Sequence, residues 1–368
     1  MQKLTIGIIG CGLITQVEHL PNLLALPDQF EVVGVADPSA RVRAALESRY
    51  GVASFATAEA LFDRRPDCVV IATPDAYHVD LALAALERGI NVFVEKPLCY
   101  RPADAGRIAD ARDKAGKVVQ VGYMKRFDPA FAALRGLLEQ QRTPLRAVNV
   151  EVLDPDFWPF VAHRTVHVAD DVPAEAIAEN DRKRTEQIST ALGLAPSREG
   201  LRGFAGPLCS SLVHDVNLVA GALAAMNMSL GNAVAAALHN GDSGVAAIAR
   251  VQGSGAPVAL SWHAIPGLAH YSERLTFAFE DAVFELSFPS PYLNHFPTQL
   301  VERRSSGLAY SQTLHRPSYA EAFLEEMRAF HAAVAGDGPR LNTVEDAGAD
   351  MRLLAELGRL ALGAPARR

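Results

Sequence analysis

The order of apolar and polar residues changes character near residue 123. Up to that point, short continuously apolar runs alternate with longer stretches in which apolar residues recur at every third or fourth position. Runs that are apolar throughout and separated by helices are typical of a parallel sheet covered on both faces. The pattern predicts a doubly wound α/β Rossmann domain over residues 1–123, with strands at 4–9, 30–36, 68–72, 91–95 and 117–121 and helices at 39–50, 57–62, 77–88 and 103–115.

Beyond residue 123, strands follow one another without helices between them. This order predicts a predominantly antiparallel sheet, and so an α+β C-terminal domain over residues 124–368. The predicted strands lie at 147–153, 234–239, 245–251, 258–264, 274–279 and 282–288, with Gly241 and Asp242 at one turn. The predicted helices lie at 127–138, 208–223, 319–335 and 343–362, the last a candidate to pack back on the first domain. An open sheet face of this kind favours a homodimer or homotetramer.

Two features interrupt this pattern. Pro21 lies inside the first helical stretch, where it predicts a kink or an end of the helix at a local cost of about 3 kcal/mol. Residues 154–206 show neither strand alternation nor a clear apolar stripe, and they read as an insertion with a charged, helical centre. A solvated surface helix is the favoured interpretation of this insertion, and a lid over the cleft is the alternative.

Composition narrows the functional classes. With 368 residues, 49% of them hydrophobic, the chain can build two sizeable cores. Its net charge of -7 offers no basic surplus for a nucleic acid. Its four cysteines form no CxxC pair, so we expect neither a metal site nor a disulfide framework. The first strand begins too close to Met1 for a signal peptide, and no apolar run approaches roughly 20 residues. We therefore expect a cytoplasmic protein without a membrane partner.

The first strand runs directly into a glycine turn and then a helix, the order that a dinucleotide pyrophosphate requires. Gly10 allows a tight turn, and Gly12 allows the backbone to approach the phosphates. The free amides that begin the helix, at Leu13 and Ile14, stabilise an anion. Thr15 replaces the third glycine of the motif, which weakens the match. Glycines also end strands for structural reasons alone, so this turn needs further support.

Asp37 gives that support at the end of the second predicted strand. It lies 25 positions after Gly12, close to where the dinucleotide motif places a carboxylate on the adenosine ribose. A carboxylate there favours NAD over NADP because it repels a ribose phosphate, although Arg41 could soften that repulsion. The alternative is an aspartate that only caps the following helix.

Three stretches then coincide: GIIGCGLIT at 7–15, ATPDAYH with GINVFVEKPL at 72–98, and SSLVHDVNLV at 210–219. Together they resemble the Gfo/Idh/MocA (glucose-fructose oxidoreductase / inositol dehydrogenase) oxidoreductase family. The likeness is strongest over residues 1–130, moderate over 207–290 and absent over 154–206. The EKP tripeptide is its most specific feature.

The Glu95-Lys96-Pro97 tripeptide ends a strand at the edge where open α/β sheets bind ligands. Lys96 can bond a substrate oxygen there and take part in proton transfer. The resemblance implies a substrate-binding lysine at this position and commonly a cis peptide before Pro97; an ion pair with Glu95 or a neighbouring acid is the alternative. Further cofactor-binding candidates at the same edge are Thr73, Pro74, His78, Glu95, Tyr123 and Arg41.

His214 matches the family's catalytic histidine, since oxidation of a secondary alcohol requires a base for the hydroxyl proton. Without the resemblance, a satisfied core histidine would be the better interpretation. The chain departs from the family here: Ser210 and Asn217 stand where related dehydrogenases carry aspartates. Asp215 or another carboxylate could substitute for them.

Weaker substrate candidates come from two further segments. Lys125 and Arg126 in VGYMKRFDP match a family segment near nicotinamide and substrate. Asp156 and Trp158 in LDPDFWPF, with Asp154, could bind hydroxyls and stack on a sugar. An ordinary domain-junction contact, or a turn with a buried tryptophan, would explain the same residues.

The sequence thus predicts an NAD(P)-dependent dehydrogenase that acts on a secondary hydroxyl of a sugar, a sugar derivative or inositol. Hydride passes to nicotinamide C4, and Lys96 and His214 handle the proton. One alternative is a glycosidase or lyase that oxidises the sugar transiently. Another is a dinucleotide-binding regulator without catalysis.

Overall fold

The computed structural model describes residues 2–239 and 243–363 and divides into two compact units. Unit 1 comprises Met1–Tyr123, His163–Ala191 and Phe323–Ala349; unit 2 comprises Met124–Ala162, Leu192–Ala322 and Asp350–Arg368. The division after Tyr123 falls where the sequence pattern changes. Two later segments that the pattern had assigned to the second domain belong to unit 1.

Unit 1 is built on a six-stranded parallel sheet in the order β3-β2-β1-β4-β5-β6. This is the order of dinucleotide-binding folds, whose strand order reverses between β1 and β4. The predicted Rossmann fold is therefore confirmed, with the short β3 as the one strand that the sequence did not predict. The strands β1 to β6 are Leu4–Ile9, Phe30–Ala36, Ser54–Phe55, Cys68–Ile71, Asn91–Glu95 and Val119–Gly122.

Helices follow the predicted pattern closely. The helices α1 to α5 are Leu20–Leu24, Ala40–Tyr50, Ala58–Phe62, His78–Glu87 and Pro102–Ala115. The helices α6 to α12 are Pro129–Gln140, Trp158–Val161, Ala174–Leu192, Arg198–Gly203, Val213–Ala225, Ala322–Ala335 and Val344–Ala361.

The helix after β1 does not stop at Pro21. It contains a π-helical turn, Thr15–His19, and then continues as α1 to Leu24. Pro21 cannot donate a hydrogen bond to the carbonyl of Val17. Arg164 donates to that carbonyl instead, at 2.5 Å.

The core of unit 1 lies between its sheet and α11. Ile6, Ile8 and Phe93 of the sheet are fully buried in the same cluster as Met327 and Phe330 of α11. The two α11 residues lie three positions apart and so face the sheet together. Each such side chain contributes about 1.5–3 kcal/mol by leaving water.

Unit 2 is built on an eight-stranded sheet in the order β14-β13-β12-β11-β7-β10-β9-β8. Among the described strands of this sheet, β7 and β10 alone pair in parallel, so the predominantly antiparallel sheet is confirmed. The strands β7 to β14 are Leu145–Asp154, Leu230–His239, Gly244–Val251, Pro257–Ala264, Ser272–Phe279, Ala282–Phe288, Gln299–Ser306 and Ala309–His315. The sequence did not predict β13 and β14 because polar residues occupy much of both. The turn at Gly241 and Asp242 lies outside the described residues.

A long apolar helical run leads into α10. It joins α9, a π-helical segment Phe204–Leu212 and α10 itself. By length and composition the run Arg198–Ala225 could cross a membrane, so the expectation that no run was long enough is wrong. Because 67% of its apolar window is buried inside the protein, the run fits a core helix.

Candidate functional site

The glycine turn after β1 requires glycine at its first position. Gly10 has a φ of +92°, and a Cβ there would lie 2.4 Å from the carbonyl oxygen of Ala72. The Thr15 hydroxyl, which replaces the third motif glycine, donates to the Gly10 carbonyl at 2.7 Å and so holds the turn to the helix. Among the described residues, no atom lies within 4 Å of where a Gly12 Cβ would be. The open backbone at Gly12, followed by the helix that includes Leu13 and Ile14, fits a dinucleotide pyrophosphate.

Asp37 lies beside this turn because Ala36 pairs in register with Ile9. Its carboxylate accepts the Cys11 N–H and the Ser39 N–H, each at 2.8 Å. Asp37 does not cap α2, because the N-cap is Ser39, whose hydroxyl accepts the Val42 N–H at 3.1 Å. A carboxylate has about four acceptor sites, so Asp37 can also accept ribose hydroxyls.

Glu95 of the EKP tripeptide is buried rather than exposed at the surface. Its Oε1 lies 2.7 Å from His19 Nε2, and its Oε2 accepts the Lys96 N–H at 3.1 Å. Burial alone would raise the pKa of Glu95, but the hydrogen bond and charge of His19, together with Lys96, hold it below its usual value. The half-buried Lys96 precedes a cis peptide bond to Pro97, as the resemblance implied.

A second carboxyl lies buried near Glu95. Glu326 of α11 is fully buried, and neither of its carboxyl oxygens has a hydrogen-bond partner among the described residues. Burial, and then the charge of Glu95, raise the pKa of Glu326 well above its usual value. The apolar stripe of α11 therefore contains one carboxyl that tends to keep its proton.

His78 links the residues that follow β4 to those that follow β5, where the candidate cofactor-binding residues lie. Its Nδ1 lies 2.8 Å from the carbonyl oxygen of Pro97 and its Nε2 lies 2.9 Å from that of Thr73. Both ring nitrogens thus contact the protein, so His78 positions the loop before Pro74 and the EKP tripeptide. Tyr123, at the end of unit 1, is buried, and its carbonyl accepts the Asn342 amide at 2.9 Å.

Unit 2 holds a separate cluster of buried charged groups. Lys125 Nζ donates to both carboxylate oxygens of Glu273, at 2.5 Å to Oε1. The Tyr271 hydroxyl donates to the same carboxylate. Burial, followed by the charge of Glu273, raises the pKa of Tyr271 well above its usual value. Lys125 is thus engaged by Glu273 within unit 2.

Asp215 adds an acid to this cluster. It is fully buried on the first turn of α10, directly after His214. Burial and then the charge of Glu273 raise the pKa of Asp215 well above its usual value, and Lys125 opposes this only in part. Neither carboxyl oxygen of Asp215 has a hydrogen-bond partner among the described residues. The carboxyl beside His214 therefore favours its neutral form.

Two other predicted substrate residues belong to a second polar network in unit 2. Asn217 Oδ1 accepts from Arg126 Nε at 3.0 Å, and Asn217 Nδ2 donates to Asp350 at 2.7 Å. A Cβ on Gly221 would collide with the guanidinium of Arg126, so this glycine makes room for the network. Asn217 thus links two helices and a turn, while Ser210 lies exposed on the π-helical segment.

The segment after β7 is open to solvent. Asp156 is exposed and accepts the Trp158 N–H at 3.1 Å, and Trp158 is 51% exposed, which rules out the buried tryptophan considered above. Asp154 is more enclosed. It accepts from Trp262 Nε1 at 3.2 Å, and burial raises its pKa.

Known proteins agree with the geometry of unit 1. A family model described as an oxidoreductase family with an NAD-binding Rossmann fold matches residues 4–123. Over this N-terminal region, the chain is similar to the Gfo/Idh/MocA oxidoreductase family. Inositol 2-dehydrogenase of Arthrobacter sp. (strain FB24) is 39% identical over 136 residues, which are 36% of this chain and 40% of that protein. Inositol 2-dehydrogenase of Salmonella typhimurium (strain LT2) is 35% identical over 138 residues, with the same coverage. The chain thus spans about 40% of the length of the curated relatives it matches.

Solved structures match over nearly the whole chain. KijD10, a 3-ketoreductase from Actinomadura kijaniata in complex with NADP and TDP-benzene, has a TM-score of 0.70 at 19% identity and covers 96% of each chain. A putative NADPH-dependent oxidoreductase from Desulfitobacterium hafniense has a TM-score of 0.75 at 13% identity and covers 97% of this chain and 95% of its own. At such identities the likeness shows the fold alone.

Sequence reasoning missed Glu273 although the sequence carries a signal for it. Along β11, Glu273, Leu275, Phe277 and Phe279 alternate with more exposed residues and share the buried face. A charged residue in the inward phase of a strand needs a partner. The partner, Lys125, lies 148 positions away and could not be read from the sequence.

We expect Asp215→Asn to change how stability depends on pH. The native state keeps the Asp215 proton at pH values above about 4, where an unfolded aspartate has lost it. The native state then binds more protons than the unfolded state, so the free energy of unfolding falls as pH rises, by up to about 1.4 kcal/mol per pH unit. Asparagine cannot ionise, so the variant lacks this dependence on pH. The variant's melting temperature, relative to wild type, should therefore increase from pH 4 to pH 8.

Calorimetric melting across that range measures the effect. Asp156→Asn, at an exposed carboxylate, is the control and should show no such trend. Parallel curves for wild type and Asp215→Asn would show that the carboxyl is not held in its neutral form.

Proposed function

We propose that the chain is an NAD(P)-dependent oxidoreductase that acts on a secondary hydroxyl of a sugar, a sugar derivative or inositol. The observation that carries this proposal is the arrangement at one edge of the unit 1 sheet. There the Gly10 turn, Asp37 and the EKP lysine follow β1, β2 and β5. Relatives named inositol 2-dehydrogenase over the same region support the substrate class.

Each proposed group has a chemical task. Gly10, Gly12 and the following helix hold the pyrophosphate, and Asp37 holds the ribose. When bound, the nicotinamide supplies the hydride acceptor. The Lys96 ammonium binds a substrate oxygen. The backbone around Lys96 is held by Glu95, which accepts the Lys96 N–H, and by His78, which contacts the Pro97 carbonyl. His214 accepts the hydroxyl proton as a neutral imidazole.

A substrate screen tests the function. Sugars, inositols and glycosides, each with NAD and with NADP, are followed by nicotinamide absorbance. Accumulation of reduced cofactor with a free sugar or inositol supports the dehydrogenase. Cleavage of a glycoside with no net reduced cofactor would favour transient oxidation. Cofactor binding without turnover of any polyol would favour a regulatory protein.

We expect Lys96→Ala to lower kcat by at least about 100-fold on a substrate found in that screen, because a polar group at the reacting oxygen contributes on that order. Cofactor affinity and melting temperature should change little, since Glu95 and His78 hold this edge through contacts with backbone atoms and His19. Lys114→Ala, at an exposed position on α5, is the control. Wild-type turnover in Lys96→Ala would contradict the assignment.

We expect His214→Gln to remove most oxidation while cofactor affinity persists. Ser210→Asp should also move the acidic limb of the wild-type rate profile up in pH, because a new carboxylate favours the imidazolium form. Rate profiles against pH measure both effects, with the exposed His270→Gln as control. Full activity of His214→Gln would make this histidine a core residue and direct the search for the base to Lys96 or Tyr123.

We propose further that the chain forms a homodimer or homotetramer through the sheet of unit 2. The face formed by β7, β8, β9 and β10 is lined by small apolar residues such as Ala235, Ala246 and Ala259, with Ile248 42% exposed at its centre. Contiguous exposed apolar surface of this kind marks interaction sites.

Ile248→Arg should therefore shift the assembly toward monomers, because it places a charge in a desolvated contact. Light scattering coupled to gel filtration measures the change, and Leu308→Arg, fully exposed after β13, is the control. A monomeric wild-type protein, or an unchanged mass in Ile248→Arg, would contradict this assembly.

A further inference from the structure

Residues 163–171, which we call the strap, lie across the coenzyme edge of unit 1. At one end Arg164 donates to the Val17 carbonyl at 2.5 Å. In the middle, the Gln16 side chain pairs with the His167 backbone through two hydrogen bonds of 2.8 Å, one to its carbonyl and one from its N–H. The strap therefore fastens to the helix that follows the glycine turn.

The far end of the strap places two carboxylates beside the loop after Asp37. Asp171 accepts from the Ser39 hydroxyl and from the Arg41 N–H, the latter at 3.0 Å. Asp170 pairs with the Arg41 guanidinium at 2.5 Å. These hydrogen bonds to Asp171 hold its pKa below the usual value, so it is charged at neutral pH. A carboxylate thus already occupies the anion position at the start of α2.

That position has a known use in dinucleotide-binding folds. An acidic residue after the second strand binds the ribose 2′-hydroxyl of NAD, and an arginine nearby accommodates the 2′-phosphate of NADP. Here Asp37 is the acidic residue, and Arg41 is an arginine four positions later. Within the strap, Asp170 pairs with the Arg41 guanidinium and offsets its charge. Asp171 accepts from the Ser39 hydroxyl and the Arg41 N–H, so these donors are already occupied.

We propose that Asp170 and Asp171 exclude a ribose 2′-phosphate, so that the strap makes this chain select NAD over NADP. This inference rests on the proposed function, since it concerns the same coenzyme site. A 2′-phosphate would have to displace Asp171 from its donors and would meet three carboxylates, including Asp37. NAD carries a hydroxyl there and meets neither obstacle.

The test compares dissociation constants for NAD and NADP, measured by titration calorimetry on the full chain. The double variant Asp170→Asn/Asp171→Asn should bind NADP at least about tenfold more tightly, the order expected for removal of two like charges near a phosphate. Its affinity for NAD should stay within about twofold to threefold. Addition of Arg41→Ala to that variant should reverse the gain, since the freed guanidinium would hold the phosphate.

A matched control removes two carboxylate charges from α8, the helix that follows the strap in the chain. Glu179→Gln/Asp181→Asn lies on α8, where both carboxylates pair with arginines on the same helix. This control should leave both dissociation constants unchanged, which separates a local effect from a change in net charge.

Three outcomes would overturn the proposal. Retained NAD binding with an unchanged NADP affinity in the double variant would refute the role of the strap alone. A wild-type preference for NADP would also refute the role of the strap, because Asp170 and Asp171 would then not exclude the 2′-phosphate. Failure of the wild-type protein to bind either dinucleotide would refute the proposed function, and the strap proposal with it.

Discussion

The close approach of two backbones, at Gly10 and Ala72, is the constraint on which the coenzyme edge depends. β1 and β4 are neighbours in register, so the residues that follow them are forced together. A glycine with positive φ is what allows the chain to turn there, because any side chain would enter the Ala72 carbonyl. The register of β1 with β2 likewise brings Asp37 beside Cys11, and the register of β4 with β5 aligns the ends of those two strands. Three parallel registers thus bring four strand ends to one edge of the sheet.

Each unit contains a cluster of buried polar groups, in which one carboxylate contacts a nitrogen of a basic side chain and a second carboxyl group is favoured in its neutral form. In unit 1, His19 stabilises the charged form of Glu95, while Glu326 remains without a hydrogen-bond partner for its carboxyl oxygens among the described residues. In unit 2, Lys125 donates to both carboxylate oxygens of Glu273, and burial followed by the charge of Glu273 favours the neutral form of Asp215. Buried carboxyl groups of this kind are costly, and removal of one partner leaves an uncompensated charge. Glu95 directly precedes Lys96, and Asp215 directly follows His214.

The two replaced aspartates of the family have different consequences. Asn217 is buried between Arg126 and Asp350. Its side chain accepts from Arg126 and donates to Asp350, and a carboxylate could not make the second of these hydrogen bonds. Ser210 is exposed and carries no charge. Burial, and then the charge of Glu273, raise the pKa of Asp215, the residue directly after His214, well above its usual value. Ser210 and Asn217 thus replace the two aspartates, while Asp215 supplies a carboxyl group directly after His214.

The sequence alone determined the alternation of strands and helices in unit 1 apart from β3, the antiparallel character of unit 2, the glycine turn, Asp37 and the EKP tripeptide, because each depends on periodicity or on a few adjacent residues. Those motifs also carry the resemblance to the Gfo/Idh/MocA family, since they are local. The tertiary structure alone decided that Glu273 pairs with Lys125, that Asn217 is structural, and that two segments after residue 123 belong to unit 1. It also decided that Asp170 and Asp171 reach Ser39 and Arg41, some 130 positions away. These contacts join residues far apart in the chain, and no local propensity encodes them; they exist only once the packed core has brought distant segments together.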